Sequence, residues 1–348
     1  MSKPSGQFTS IGGQAVIEGV MMRSPRFIAI AVRRANQRIV IRNLSYSGIS
    51  QKLPFFKKPI LRGVVTLLES MIQGVDALSY SAQIAAESEK TGEELSNWAI
   101  AGSILTAFVM GMGLFVALPH FLTVVATSSR GLNITAQSPL FHVLDGILKI
   151  FILLAYVYLI SLMKDIHRVF QYHGAEHKSI YTFEAGEDLT VENAKKYTTL
   201  HPRCGTSFLL FLVLISIGTF SIVFPLFQLT QLSSVPFLNH LAMIAVKMVL
   251  MFPVAGFAYE FIKACAFRMD NPIFRGLIWP GMILQKLTTR EPTDDQLEVA
   301  LASLRQVLRL EKEHEKVSAF QDNKGEVEIG QLSELGLVSA QVAEFPEN

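Results

Sequence analysis

The 348-residue chain is half hydrophobic and only 17% charged, with a formal net charge of +2. A soluble protein of this size carries about 25% charged residues, so the deficit points to a membrane protein, and the near-zero net charge excludes a general electrostatic affinity for nucleic acid. Two cysteines, Cys204 and Cys265, exclude a disulfide framework.

In chain order, the opening MSKPSGQFTSIGGQAVIEGV has no basic start followed by an apolar core and does not read as a signal peptide. QAVIEGVMM, RFIAIAVRR and QRIVIRNL read as short strands, with ANQ as the turn between the last two. Glu18 and Arg23 stand in apolar strand surroundings, where an unpaired charge is costly. They are expected to pair with each other or with the next helix; the functional alternative is a substrate rim. That helix is ILRGVVTLLESMIQGVDALSYSAQIAAESEK. Its polar residues Arg62, Thr66, Glu69, Gln73, Asp76, Tyr80, Gln83 and Glu87 step by four and three alternately, a narrow stripe on an otherwise apolar or small surface. Such a helix lies along a membrane, packs with its stripe over a polar site, or is an ordinary amphipathic core helix.

Four apolar runs then reach the roughly 20 residues a helix needs to cross hydrocarbon, at about 98–126, 141–163, 206–229 and 241–262. The second and fourth carry Asp145, Lys149, Lys247 and Glu260. Lysine and arginine number 12 in residues 1–97, 6 in 164–205 and 10 from 263 onward, against one (Arg130) and none in the two short connections. Basic residues stay on the cytoplasmic side, which predicts four spans with both termini cytoplasmic. FRGLIWPGMILQKLTTREP reads as an interfacial segment anchored by Trp279. TDDQLEVALASLRQVLRLEKEHEK reads as an amphipathic helix, with Thr293 as N-cap and Gln296 three residues on. The last 30 residues are polar and weakly patterned.

The connection 164–205 concentrates metal-binding residue types. His173 and His177 stand four apart, so a helix points both imidazoles to one side. With Glu176 they form His-x-x-Glu-His, in which the histidines ligate zinc and the glutamate serves as general base on bound water. His201 and Cys204 follow in TLHPRCGTSF and would complete a tetrahedral nitrogen and sulfur set, which suits zinc. Glu260 is the second-choice ligand, or a partner for Lys247 or Lys263. The bland reading is a histidine-bearing helix end beside a small buried cysteine.

GGQAVIEGVMMRSP, RGVVTLLESMIQG, YHGAEHKSIYTFEAGE, HPRCGTSF and LQKLTTREP together resemble the YqhQ family of bacterial membrane proteins, over about residues 11–292. The resemblance implies a multi-span protein of the bacterial inner membrane and a metal-dependent enzyme without a defined substrate.

The expected fold is an α-helical multi-span membrane protein with a small β-containing N-terminal region. Its parts are a cytoplasmic region 1–97, spans one and two in 98–163, a cytoplasmic loop 164–205 with the metal site, spans three and four in 206–262, and a cytoplasmic region 263–348. The expected function is metal-assisted hydrolysis at the membrane surface, on a lipid-linked or peptide substrate. Four protein ligands would instead make a closed structural site, as in a membrane scaffold or assembly factor. A transporter would use Asp145, Lys149, Lys247 and Glu260 along a path.

Overall fold

The computed structural model describes residues 11–49, 53–87, 97–129, 134–227, 234–316 and 325–336. Arg130, the first ten residues, the end of the expected striped helix (88–90) and tail segments 317–324 and 337–348 lie outside them. The N-terminal strands are β1 (Gly12–Val16), β2 (Gly19–Arg23), β3 (Phe27–Arg33) and β4 (Ile39–Ser45), which pair antiparallel in chain order. The run QAVIEGVMM is therefore a hairpin rather than one strand. Val16 pairs with Gly19, leaving Ile17 and Glu18 as a two-residue turn in which Glu18 adopts φ +50°. A positive φ at the second turn residue alone is the type II pattern, which ordinarily takes Gly or Asn, and here it falls on a glutamate. The tail supplies a fifth strand, β5 (Glu326–Ile329), paired antiparallel with β4.

Both faces of the sheet are covered. Phe27, Ala29 and Ala31 alternate with Ile28, Ile30 and Val32 along β3, and the two sets enter different cores. On one face lie Ala77, Tyr80 and Ile84 of α1 (Leu61–Glu87). The other face packs on α10 (Asp294–Lys316), and α5 (Lys164–Glu184) joins the same core. Helix α10 has the expected amphipathic pattern but is buried on nearly every side: Val299, Ala302 and Leu310 are as enclosed as Leu297, Leu301 and Leu308. The Gln296 side chain accepts from the Thr293 amide at 2.9 Å, one half of the expected capping box.

The span-length helices follow the hydropathy. Helix α2 (Asn97–Met112) passes through one π turn (Gly113–Ala117) into α3 (Leu118–Ser129), and α4 covers Pro139–Ser161. A short break at Leu162–Met163 leads into α5. After the short α6 (Val191–Lys195) come α7 (Gly205–Phe227), α8 (Pro236–Ala266) and α9 (Pro272–Thr288). Four stretches, Ala101–Ser128, Pro139–Ser161, Gly205–Phe227 and Phe237–Ala266, are long and apolar enough to cross a membrane.

Helix α1 joins the sheet to the bundle. A Cβ on Gly63 would stand 2.8 Å from the Gly256 carbonyl oxygen of α8, so glycine sets that close crossing. The first half of the α1 stripe faces the protein, whereas Asp76 and Gln83 are exposed. Arg62 pairs bidentately with Glu260 (3.0 and 2.6 Å), Arg23 donates to Gln73 (3.0 Å), and Glu69 holds the Tyr46 hydroxyl and the Ile49 amide. Its apolar side is exposed, with Met71 at 65% and Ile72 at 68%.

Inside the sheet region, the fully enclosed Arg305 guanidinium donates to the carbonyls of Leu189, Leu332 and Gly336, tying α10 to the tail. Replacing it leaves those carbonyls without a donor, at roughly 1–3 kcal/mol per buried group. Arg305→Met is expected to lower the thermal unfolding midpoint and to raise amide exchange in 326–335 ahead of the rest of the sheet. Uniform exchange across the sheet would contradict this role.

Candidate metal centre

From Gly174 to Ile180 every residue of α5 is buried. His173 and His177, one turn apart, project together, with ring centroids 4.5 Å apart. The His173 Nδ1–H donates to the Thr288 carbonyl (2.8 Å) and the His177 Nδ1–H to the Thr199 carbonyl (2.5 Å). A carbonyl can only accept, so both imidazoles carry their proton on Nδ1 and present an Nε2 lone pair. Cys204 Sγ lies 3.2 Å from His173 Nε2 and receives the Thr206 amide (3.4 Å), with the Thr206 hydroxyl at 3.1 Å. The ligand atoms of His173, His177 and Cys204 all lie within 4.8 Å of one another.

The His173–Cys204 separation is close to that between two ligands of a tetrahedral ion, while the group as a whole is looser. With nitrogen at about 2.0–2.1 Å and sulfur at about 2.3 Å from zinc, two ligands stand roughly 3.5 Å apart. A carbonyl on the second nitrogen of each histidine is the outer-shell arrangement that fixes tautomer and ring orientation in metal sites. Burial pushes the His177 imidazole down from its ordinary pKa, keeping it in the neutral form a metal requires.

His201 sits beside this group rather than in it. Its ring centroid is 5.5 Å from that of His177, and its Nδ1 accepts from the Arg203 amide at 3.3 Å. The remaining proton is therefore on Nε2, which faces Glu184 Oε2 at 3.5 Å without forming a hydrogen bond. Burial depresses the His201 pKa to about 4. The backbone of this segment is latched to α9. The Gln285 side chain accepts from the His201 amide (2.7 Å) and donates to its carbonyl (2.8 Å) and to Ser207 (2.9 Å). Tyr181 adds a bond to the Leu200 carbonyl at 2.9 Å.

Glu176 is enclosed, and burial raises its carboxyl pKa against the pull of His173, His201, the Gly13 amide and Arg203. Its neighbour is the first strand: a Cβ on Gly13 would stand 2.7 Å from Glu176 Cγ and 2.8 Å from Met22 Sδ. The glycine of IGGQ thus admits the catalytic candidate. Thr199, Thr288 and Gln285 surround the candidate site and are not singled out by the sequence, whereas the Gly12-Gly13 pair is a place for close backbone approach. Only Gly13, in a Gly-Gly pair next to a strand, carried a local signal.

The remaining candidates lie elsewhere. Glu18 pairs with Arg168 (2.6 and 2.5 Å) and accepts from the Tyr172 hydroxyl (3.3 Å), not with Arg23. Arg23 reaches the α1 stripe and stacks 4.0 Å over the Tyr46 ring. Glu260, 83 residues beyond His177 in the chain, is engaged with Arg62.

The Gly13 contact yields a coupled prediction. Gly13→Ala forces overpacking that costs about 1–3 kcal/mol, and removing the Glu176 side chain relieves the part that does not fall on Met22. In a double-mutant cycle read by thermal unfolding, Gly13→Ala is expected to destabilise the wild type more than it destabilises Glu176→Ala. Equal effects in both backgrounds would dissociate the two residues.

The family model "Protein of unknown function (DUF1385)" matches residues 58–310. The chain is also 34% identical over 312 residues to the "Uncharacterized protein YqhQ" of Bacillus subtilis (strain 168), covering 86% of this chain and 92% of that one. No solved structure matches. The chain belongs to the DUF1385 family, that of the YqhQ protein.

Proposed function

We propose that this protein is a zinc-dependent hydrolase embedded in the bacterial inner membrane, with both termini in the cytoplasm and its site at the membrane surface. The observation that carries the metal reading is the pair of Nδ1–H bonds to the Thr288 and Thr199 carbonyls, which leaves two Nε2 lone pairs aimed with Cys204 at one point. Three protein ligands leave a fourth position for water, the pattern of catalytic rather than structural zinc. The ion would lower the pKa of that water and polarise the scissile carbonyl. Glu176 is assigned the general base, since Gly13 gives its side chain room beside the histidines.

Membrane insertion is supported by the inverted character of α1. Its charged stripe is paired inward while Leu68, Met71, Ile72, Val75 and Leu78 face out, the reverse of a helix on a water-facing domain. Helix α9, whose Thr288 holds His173, likewise exposes Ile273, Leu277 and Trp279. The segments rich in lysine and arginine gather around the sheet at one end of the bundle, in keeping with a cytoplasmic assignment. A site latched to α9, a helix with an exposed apolar face, suits a lipid-linked or membrane-adjacent peptide substrate.

The test is elemental mass spectrometry on protein purified in detergent without a histidine tag. The expected result is one zinc per chain, lost in His177→Ala and Cys204→Ser and kept in His201→Ala and Glu176→Gln. In the cobalt-loaded protein, acetohydroxamate is expected to change the visible spectrum by taking the water position. Well-folded wild type that takes up no zinc would eliminate the metal reading. A metal lost in His201→Ala, with a spectrum indifferent to hydroxamate, would instead mean a closed four-ligand staple and a scaffold.

A further inference from the structure

A second polar assembly lies inside the helix bundle. Lys149 and Lys247 both donate to Asp145 Oδ2, each at 2.8 Å. Lys247 Nζ also lies 3.2 Å from His120 Nδ1, and His120 Nε2 lies 3.1 Å from His240 Nδ1. Asp145, Lys149, Lys247 and His120 are all buried, and Asp145 Oδ1 has no hydrogen-bond partner. Five side chains from α3, α4 and α8 thus form one continuous chain of polar contacts.

Its placement has a direction. Helix α4 runs into α5, and α7 starts immediately after Cys204, so Pro139 and Phe227 mark the bundle end remote from the candidate metal centre. His240 is half-buried in the first turn of α8 at that remote end. Lys247 lies eleven residues into α8, roughly 16 Å along the helix axis and near the middle of a bilayer core. Beyond Lys149, the next buried side chains of α4 and α8 toward the other end are Leu153, Val157, Val254 and Ala258. The buried Ser216 bonds back to its own helix at Val213. Among the described residues, the polar chain opens toward one face and stops halfway.

Charge arithmetic identifies what it does. Two ammonium groups on one carboxylate leave the cluster at +1 with neutral imidazoles, and an uncompensated charge at this depth is expensive. Loss of one proton makes it neutral. Lys149 contacts Asp145 and lies over the Phe220 ring, whereas Lys247 also touches an imidazole acceptor. The groups facing Lys247 are His120 from α3, Asp145, Lys149 and His142 from α4, Phe220 from α7, and His240 from its own helix.

We propose that Lys247 is a proton-binding site charged and discharged from the remote face of the membrane through His120 and His240. On discharge, the Lys247 ammonium gives a proton to His120 Nδ1 as His120 passes its Nε2 proton to His240 Nδ1. His240 then releases its Nε2 proton to water. One proton leaves, Lys247 becomes a neutral amine, and the Lys149–Asp145 pair remains. This inference is independent of the metal reading, since no residue is shared.

The test is charge displacement after a pH step on full-length protein in liposomes adsorbed to a solid-supported membrane. Wild type is expected to give a transient current that decays to zero, as a proton moves partway into the dielectric and stops. Lys247→Met should reduce the displaced charge at least tenfold. His240→Ala, a substitution at a half-exposed position, should slow or remove the transient while leaving the unfolding midpoint unchanged. A wild-type signal equal to that of empty liposomes, or one unchanged in His240→Ala, would overturn the proposal. A sustained current would overturn the one-sided site in favour of a conducting path.

Discussion

The middle of α5 has no water-facing side, and its sequence there is polar. Glu176, His177, Lys178, Ser179 and Thr182 are all enclosed, and a buried polar group must find a partner within the protein. Ser179 and Thr182 satisfy themselves on carbonyls one turn back. The other three reach outside the helix. Glu176 meets Gly13 of β1, His177 meets Thr199, and Lys178 meets Glu291 at 2.5 Å. Those three partners come from the sheet, from the segment leading into α7, and from the segment leading out of α9. Satisfying one helix therefore positions everything around it.

The same convergence explains how a chemical site can sit where a bundle meets a sheet domain. His173 is held by a carbonyl at the end of α9, His177 by one ahead of α7, and Cys204 directly precedes α7. The candidate ligand set is thus anchored to elements that also pack in the bundle. A displacement of α7 against α9 would be felt first at the Gln285 latch and then at the sulfur.

Polar groups appear at two levels of the molecule and are handled differently. At the sheet end, charges are spread over many pairs, including the enclosed Glu311, which accepts from Ser24 and Arg26. Within the bundle they are drawn into one chain around a single carboxylate. Where water is near, isolated pairs are cheap to hydrate. In an apolar interior, charges are forced to share partners or change protonation.

The sequence by itself determined the elements whose signal is local. Hydropathy marked four span-length helices, β-rich runs flanking a turn marked β3 and β4, the 3.6-residue period marked α1 and α10, and four-residue spacing put His173 and His177 on one side of a helix. Tertiary structure alone decided what depends on distant pairing: the hairpin turn at Glu18, the return of residues 326–329 to β4, Glu260 with Arg62 across 198 positions, and the cluster of His173 and His177 with Cys204, beside which His201 lies. The polar chain inside the bundle stood between these cases. Its lysines and aspartate were visible, but the histidines that extend it, His120 and His240, lay unremarked inside apolar runs. A residue's neighbours along the chain report periodicity and polarity. The partner of a buried charge is set by which helices pack together, and no local window contains that.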